Sequence, residues 1–368
     1  MSRFVNRDVN IATNVTLHLG DALTVARTLE TESVQSIVTS PPYWGLRDYG
    51  TAKWEGGNPD CEHTISHWND SLKPNVSRPF RGDRSSCLKC GAIRVDSQLG
   101  LERTPEEYVC HLVELFRELR RVLKDNGTAW INIGDSYASA FACARRSTIG
   151  AGSPDASVDR PNRLVGGLKE KDLIGIPWLV AFALRADGWY LRSDIIWHKP
   201  NPMPERVTAR QTKSHEYIFL LSKSAQYYYD SDAVREQANY PGDDRKARAK
   251  EHHKSMPDGL RNGLRPGNYT YDLNTRNKRS VWTVNTHSFD EAHFATFPPK
   301  LITPCILAGA PVGGVVLDPF LGSGTTGLVS VKLQRSFVGI ELNEQYFKMS
   351  ERRIREAQLQ IPMAMEYA

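Results

Sequence analysis

The chain has no long hydrophobic run. None of its apolar stretches approaches the roughly 18 residues a membrane-spanning helix needs, and the opening Met-Ser-Arg-Phe-Val-Asn-Arg-Asp has no apolar leader core. A cytoplasmic protein is expected. Cysteine is scarce, six in 368 residues, which excludes a disulfide-built scaffold. Neither sign of charge dominates: the net charge is +5, and 40% hydrophobic with 24% charged residues is the balance of a folded globular protein. The length implies one large α/β domain with an inserted module, or two domains.

Strands are expected at Val15–Leu19, Gln35–Thr39, Thr128–Ile133, Tyr190–Trp197, Glu216–Leu221, Val315–Leu317 and Phe337–Ile340. Thr104-Pro105-Glu106-Glu107 reads as a capped helix start, and Tyr108, Leu112, Leu115, Phe116, Leu119 and Val122 form a buried stripe running to the Asn126-Gly127 stop. Further helices are expected at Ile176–Arg185, Pro299–Leu307, Thr325–Leu333 and Glu344–Glu356. The Gly-, Ser- and Arg-rich stretch Ser136–Lys169 reads as a loop, and His198-Lys199-Pro200-Asn201-Pro202 as a break between strands. Strands alternating with helices imply a mostly parallel sheet covered on both faces.

The modest charge is unevenly placed. Gly242–Ser280 holds ten basic and five acidic residues, equal to the whole excess, interleaved with Tyr269 and Tyr271 and preceded by Tyr240. Such a run is either a solvated loop or a surface for a polyanion. Cys61, His63, Cys87 and Cys90 fall in one polar stretch and offer four soft ligands suited to tetrahedral zinc, with reduced free cysteines as the alternative. The single residue between Cys61 and His63 is a tighter spacing than usual.

Asp318-Pro319-Phe320-Leu321-Gly322-Ser323-Gly324-Thr325-Thr326-Gly327 lies between a strand and a helix, and Glu341 ends the next strand. A glycine turn at a strand end admits a nucleoside-like ligand, and an acid one strand over can accept both ribose hydroxyls. NAD and S-adenosylmethionine both meet these requirements. Ser40-Pro41-Pro42-Tyr43-Trp44 distinguishes them, because prolines stiffen the loop and remove donors. Ser40 Oγ and the Pro41 carbonyl can then accept the two hydrogens of a ring amine, with Tyr43 and Trp44 closing on the ring.

With these motifs the chain resembles the β-type DNA amino-methyltransferases, which methylate N4 of cytosine or N6 of adenine. Thr39-Ser40-Pro41-Pro42-Tyr43 resembles their catalytic motif in its cytosine-associated serine form, Asp318–Thr326 their cofactor motif, and Val338-Gly339-Ile340-Glu341 their ribose-binding strand. Gly20-Asp21-Ala22 resembles the segment contacting the cofactor's adenine, and His293-Phe294-Ala295-Thr296-Phe297-Pro298 the one lining its methionine side. The resemblance implies a Rossmann-like fold with a mostly parallel seven-stranded sheet in permuted order. It implies S-adenosylmethionine held by Asp21, His293, Phe297, Asp318, Phe320, Gly322, Gly324, Thr325 and Glu341, and catalysis by Ser40, Pro41, Pro42 and Tyr43.

It also implies double-stranded DNA as partner and a possible cognate restriction endonuclease. On this reading 1–50 and 101–225 form the catalytic half, 51–100 a zinc-binding insertion, 226–288 a target-recognition region and 289–368 the cofactor half. Cytosine N4 is the expected target and adenine N6 the alternative. A zinc-bearing DNA-binding protein with an inactive methyltransferase fold is a third reading, and a nicotinamide oxidoreductase a fourth. Pro304-Cys305 resembles the nucleophile of ring-carbon cytosine methyltransferases, but its apolar setting, Leu301–Ala310, favours a buried cysteine.

Overall fold

The computed structural model describes residues 8–12, 15–45, 49–63, 86–87, 89–138, 167–239, 274–286 and 297–365. The first strands are β1 (Asp8–Ala12), β2 (Val15–Leu19) and β3 (Val34–Thr39), with helix α1 (Ala22–Ala26) between the last two. A small antiparallel pair, β4 (Lys53–Glu55) and β5 (Ile93–Val95), precedes α2 (Pro105–Val122) and β6 (Leu123–Ile133). Then come α3 (Ile176–Ala186), β7 (Tyr190–His198) and β8 (His215–Ser222). A second small pair, β9 (Glu236–Gln237) and β10 (Thr275–Arg276), is followed by β11 (Val281–Thr283). The chain closes with α4 (Pro299–Gly309), β12 (Val315–Asp318), α5 (Thr325–Lys332), β13 (Ser336–Glu341) and α6 (Glu344–Met365). No described helix is long and apolar enough to cross a membrane.

The main sheet has nine strands in the order β1-β2-β13-β12-β3-β6-β8-β7-β11. Its run from β2 to β7 is the expected seven-stranded sheet, with β1 and β11 added at the edges. From β2 to β6 every neighbour is parallel, while β8 runs antiparallel to both β6 and β7. Alternation along the strands feeds two cores. Ile37, Ala129, Ile131, Leu317 and Ile340 pack with α1, α2 and α3, whereas Val38, Trp130, Val316 and Phe337 pack with α4, α5 and α6. All six residues of β3 are buried, as a central strand covered on both faces requires.

Helix α2 starts as expected: Glu107 N–H donates to Thr104 Oγ1 at 3.1 Å, and Thr104 N–H donates to Glu107 Oε2 at 3.3 Å. Its six stripe residues are all buried. It ends earlier than the Asn126-Gly127 signal, because buried Leu123 turns extended and opens β6 directly. The residues between Leu123 and Thr128 fall in an irregularity of the β3–β6 register, so the Asn-Gly pair bends a strand rather than stopping a helix. Most of the expected Ser136–Lys169 loop lies outside the described residues.

Thr104→Ala removes the reciprocal cap, so it should lower stability by about 1 kcal/mol, read as a denaturation midpoint shift with unchanged denaturant slope.

Candidate active site

The carboxyl ends of the parallel strands converge on one cavity of about 640 Å³, a size suited to a cofactor-sized ligand. Gly20 and Asp21 enter it after β2, Ser40 to Tyr43 after β3, Gly134 and Asp135 after β6, Phe320 and Gly322 after β12, and Glu341 at the end of β13. In open α/β sheets the ligand crevice lies at this edge.

Of the expected residues, Ser40, Pro41, Pro42, Tyr43, Asp21, Phe297, Phe320, Gly322, Thr325 and Glu341 line the cavity. His293 lies outside the described residues. Two others depart from expectation. Asp318 is 1% exposed, and its carboxylate is taken up internally: Thr39 Oγ1 and Thr326 Oγ1 each donate to it at 2.6 Å, and Phe320 N–H at 3.1 Å. It joins the strand of the proline loop to the glycine turn instead of facing a ligand. Burial pushes its pKa up to about 6, against these three donors, which favour the ionised form. Gly324 also stays off the cavity wall. Its φ of +80° opens α5, and a Cβ there would meet Ser350 Cβ at 2.8 Å.

Glu341 accepts Gly322 N–H at 2.7 Å on Oε2 and Asn343 N–H at 2.8 Å on Oε1. Each oxygen keeps a second lone pair, the arrangement a vicinal diol needs. Burial raises its pKa to about 7. Asp21 caps α1, accepting Thr24 N–H and Thr24 Oγ1–H, both at 2.8 Å and both on Oδ1.

The proline loop is held from outside. Tyr108 Oη donates to the Pro42 carbonyl at 2.8 Å, while the Pro41 carbonyl has no partner among the described residues. Trp44, expected to close on a bound ring, is instead 1% exposed, with its indole N–H donating to the Glu102 carbonyl at 2.9 Å. An indole is the largest apolar group in the loop, and the core beside Tyr108 takes it. Tyr43 faces the cavity, and its hydroxyl donates to Glu216 Oε2 at 2.7 Å and lies 3.2 Å from Asn132 Oδ1. Glu216 in turn pairs with Lys199. Burial, then the Glu216 charge, hold the Tyr43 phenol well above its ordinary pKa, so it remains a donor. Gly134 makes room for the ring, since a Cβ there would lie 2.6 Å from Tyr43 Cε2. Nearby His215 is kept below the usual histidine value by burial and by Lys213. Sequence reasoning missed Asn132, Lys199 and Glu216. The available signal was polar residues at the ends of otherwise apolar strands, and Lys199 within the proline-rich break.

A family model described as DNA methylase, covering N6 and N4 enzymes, matches residues 34–352. The chain belongs to this DNA methylase family. The methylase is 43% identical over 345 residues to the Type II methyltransferase M.Cfr9I of Citrobacter freundii, covering 92% of this chain and 87% of that one. It is 41% identical over 336 residues to the Type II methyltransferase M.SmaI of Serratia marcescens, covering 91% and 89%. Among solved structures, PvuII DNA methyltransferase (cytosine-N4-specific) shares the fold with TM-score 0.53 at 16% identity, covering 95% of this chain and 93% of that one. A putative DNA modification methylase from Thermus thermophilus gives 0.50 at 21%, covering 93% and 95%.

The methylase also gathers its four soft ligands. The pairing of β4 with β5 brings the two ends of the insertion together, and the ligand atoms of Cys61, His63, Cys87 and Cys90 all lie within 4.8 Å of one another. Cys61 Sγ is 3.9 Å from Cys87 Sγ, and Cys90 Sγ is 3.4 Å from His63 Nδ1. A tetrahedral zinc with bonds of about 2.0–2.3 Å sets its ligands about 3.5–3.8 Å apart. The set therefore fits zinc, and the tight Cys61–His63 spacing is no obstacle. Trp54 stacks on His63 with centroids 4.8 Å apart, fixing the ring. Desolvation and the neighbouring Cys90 and Cys87 thiols push Cys61 up to about 11, a crowding that a cation relieves.

In the basic segment only Arg276, Lys278 and Arg279 of the ten cations are described, and these are engaged by Glu236 and by the Trp282 ring. The remainder, with Tyr240, Tyr269 and Tyr271, lie outside the described residues. Cys305 is buried at 1%, with its thiol pKa pushed far up by burial, consistent with a core residue rather than a nucleophile.

Purified methylase should carry one zinc per chain by elemental analysis. Cys87→Ser or Cys90→Ser should lower both metal content and thermal midpoint, because a closed site contributes folding energy. Metal-free protein with an unchanged midpoint would exclude a structural ion.

Proposed function

We propose that this methylase transfers a methyl group from S-adenosylmethionine to the exocyclic N4 amine of a cytosine flipped out of double-stranded DNA, at a specific sequence. The observation that carries the reading is the pair of acceptors at the end of β3. Ser40 has a neutral hydroxyl at the cavity, and the Pro41 carbonyl beside it has no partner among the described residues, while the Pro42 carbonyl is occupied. The PvuII neighbour is described as cytosine-N4-specific, in line with this choice. The relatives named Type II methyltransferases support a restriction endonuclease of the same specificity as partner.

The cytosine amine is a poor nucleophile because its lone pair is delocalised into the ring. Hydrogen bonds from its two N–H groups to Ser40 Oγ and the Pro41 carbonyl draw the nitrogen toward a pyramidal shape and localise that pair. Tyr43, tethered through its hydroxyl to Glu216, presents a fixed aromatic face to the base. S-adenosylmethionine, the ligand bound by the Thermus neighbour, would supply a methyl on a positively charged sulfur, which would leave as a neutral thioether while the amine gives up one of its two protons to solvent. Glu341 would hold its ribose hydroxyls and Asp21 its adenine end, with Phe320, Gly322, Thr325 and Phe297 shaping the walls.

Ser40→Ala should lower methyl-transfer turnover by about two orders of magnitude, with cofactor affinity by calorimetry nearly unchanged; wild-type turnover would remove Ser40 from the mechanism. Mass spectrometry of nucleosides from DNA treated with labelled cofactor should find N4-methylcytosine. Label in 6-methyladenine would overturn the base, and label in 5-methylcytosine the amine chemistry as well.

Cofactor affinity should also depend on pH. Glu341 sits at about 7 in the free protein, and ribose hydroxyls donate to its ionised form. Affinity should therefore be full above pH 8 and weaken below 7, by at most about tenfold per unit. Glu341→Gln should be weaker at pH 8 and flat with pH.

A further inference from the structure

We propose that Met203 is a wedge that enters the duplex and fills the space left by the departing target base. This rests on the proposed placement of a DNA base at Ser40 and Pro41, and not on which base is modified. The acceptors at Ser40 and Pro41 lie within a cavity, so a base reaches them only outside its stack, leaving a gap between its former neighbours. An apolar side chain inserted from the protein is one way to hold that gap open.

Among the described residues Met203 is the most exposed large apolar side chain, at 85%. Its loop joins β7 to β8 and leaves the sheet where the end of β6 meets the start of β8, the edge that carries Gly134, Asp135 and Glu216. Lys199 and Glu205, on either side of Met203 in sequence, both line the cavity, so the segment that carries Met203 leaves and returns at the cavity wall.

The loop is built to keep Met203 outward. Prolines precede and follow it, which restricts the backbone at both neighbours. On one side Asn201 is clamped to Thr286, accepting its N–H at 3.0 Å and donating to its carbonyl at 3.3 Å. On the other side Glu205 pairs with Arg210, whose guanidinium lies 3.6 Å from the Tyr137 ring centre. The loop is anchored on both sides of Met203, and that side chain buries almost none of its surface in the fold. The unbranched thioether can slide between bases of any identity. Arg206, three residues on, is exposed and makes no ion pair among the described residues, so a cation stands ready for the flanking phosphates.

The test compares Met203→Ala and Met203→Leu with wild type on two duplexes. One carries the methylation site as mapped in DNA modified by the wild-type protein, and the other has a mismatched partner opposite the target base. Met203→Ala should lose about tenfold or more in kcat/KM on the matched duplex and return to within about threefold of wild type on the mismatched one, whose base leaves the stack more readily. Met203→Leu should stay within about threefold of wild type on both. Unchanged cofactor affinity by calorimetry shows that the variants are folded. Equal loss on both duplexes would make Met203 a structural residue, and no loss on either would also overturn the wedge. A label found in adenine would change the target base but leave this comparison intact.

Discussion

A buried carboxylate shared by two hydroxyls holds the two halves of the site together. Asp318 closes β12, and by accepting from Thr39 on β3 and Thr326 on α5 it fixes the proline loop relative to the glycine turn. Asp318 and Thr39 are 279 residues apart in sequence, so backbone connectivity alone does nothing to align them. Two hydroxyls and one amide surround the acid, enough to keep a buried charge tolerable, and neither hydroxyl carries a charge of its own that a ligand would have to displace. Pairing Asp318 with a cation would have placed a second buried charge beside the cavity.

Around that joint the structure supplies stiffness in layers. Two prolines restrict the Ser40–Tyr43 loop, Tyr108 occupies one of its carbonyls, and buried Trp44 anchors its far end. The insertion that follows folds back on the same loop: Gly45 N–H donates to the Gly100 carbonyl at 2.7 Å, and Tyr49 N–H to Gln98 Oε1 at 2.7 Å. Asn343, whose N–H is held by Glu341, donates to the Tyr49 carbonyl at 3.1 Å. The insertion that carries the cysteine–histidine cluster and the cavity therefore share a wall. Transfer of a methyl group depends on holding a nitrogen and its attacking direction, and pre-set acceptors do this with little reorganisation.

The fold was legible because its signals are local. The short strand Gln35–Thr39 running into Ser40-Pro41-Pro42, the Thr104–Glu107 cap and the three- and four-residue spacing of Tyr108 to Val122 each depend on neighbours in sequence. So was the grouping of Cys61, His63, Cys87 and Cys90, since ligand chemistry restricts which residues can stand together. What escaped depends on distance in space. Nothing in Asp318-Pro319-Phe320 reveals that its acid is consumed by hydroxyls from two other elements, and a tryptophan after Pro-Pro-Tyr reads equally well as a stacking ring or as core. Glu216 and Lys199 become partners only when β7 and β8 pair antiparallel, and Asn132 joins them only through the β6–β8 register. The early end of α2 turned on a bulge, a feature of strand pairing that a helix-stop signal imitates.

The permuted strand order bears on when the protein becomes competent. During synthesis, β3, β6, β8 and β7 emerge long before β12 and β13, which pair with β3 and β2 in the finished sheet. Before β12 is made, β3 has an open edge, Thr39 has no acid to bind, and the glycine turn does not exist. A chain made only that far carries the proline loop and the cysteine–histidine cluster without Gly322 and Glu341, which complete the cavity wall.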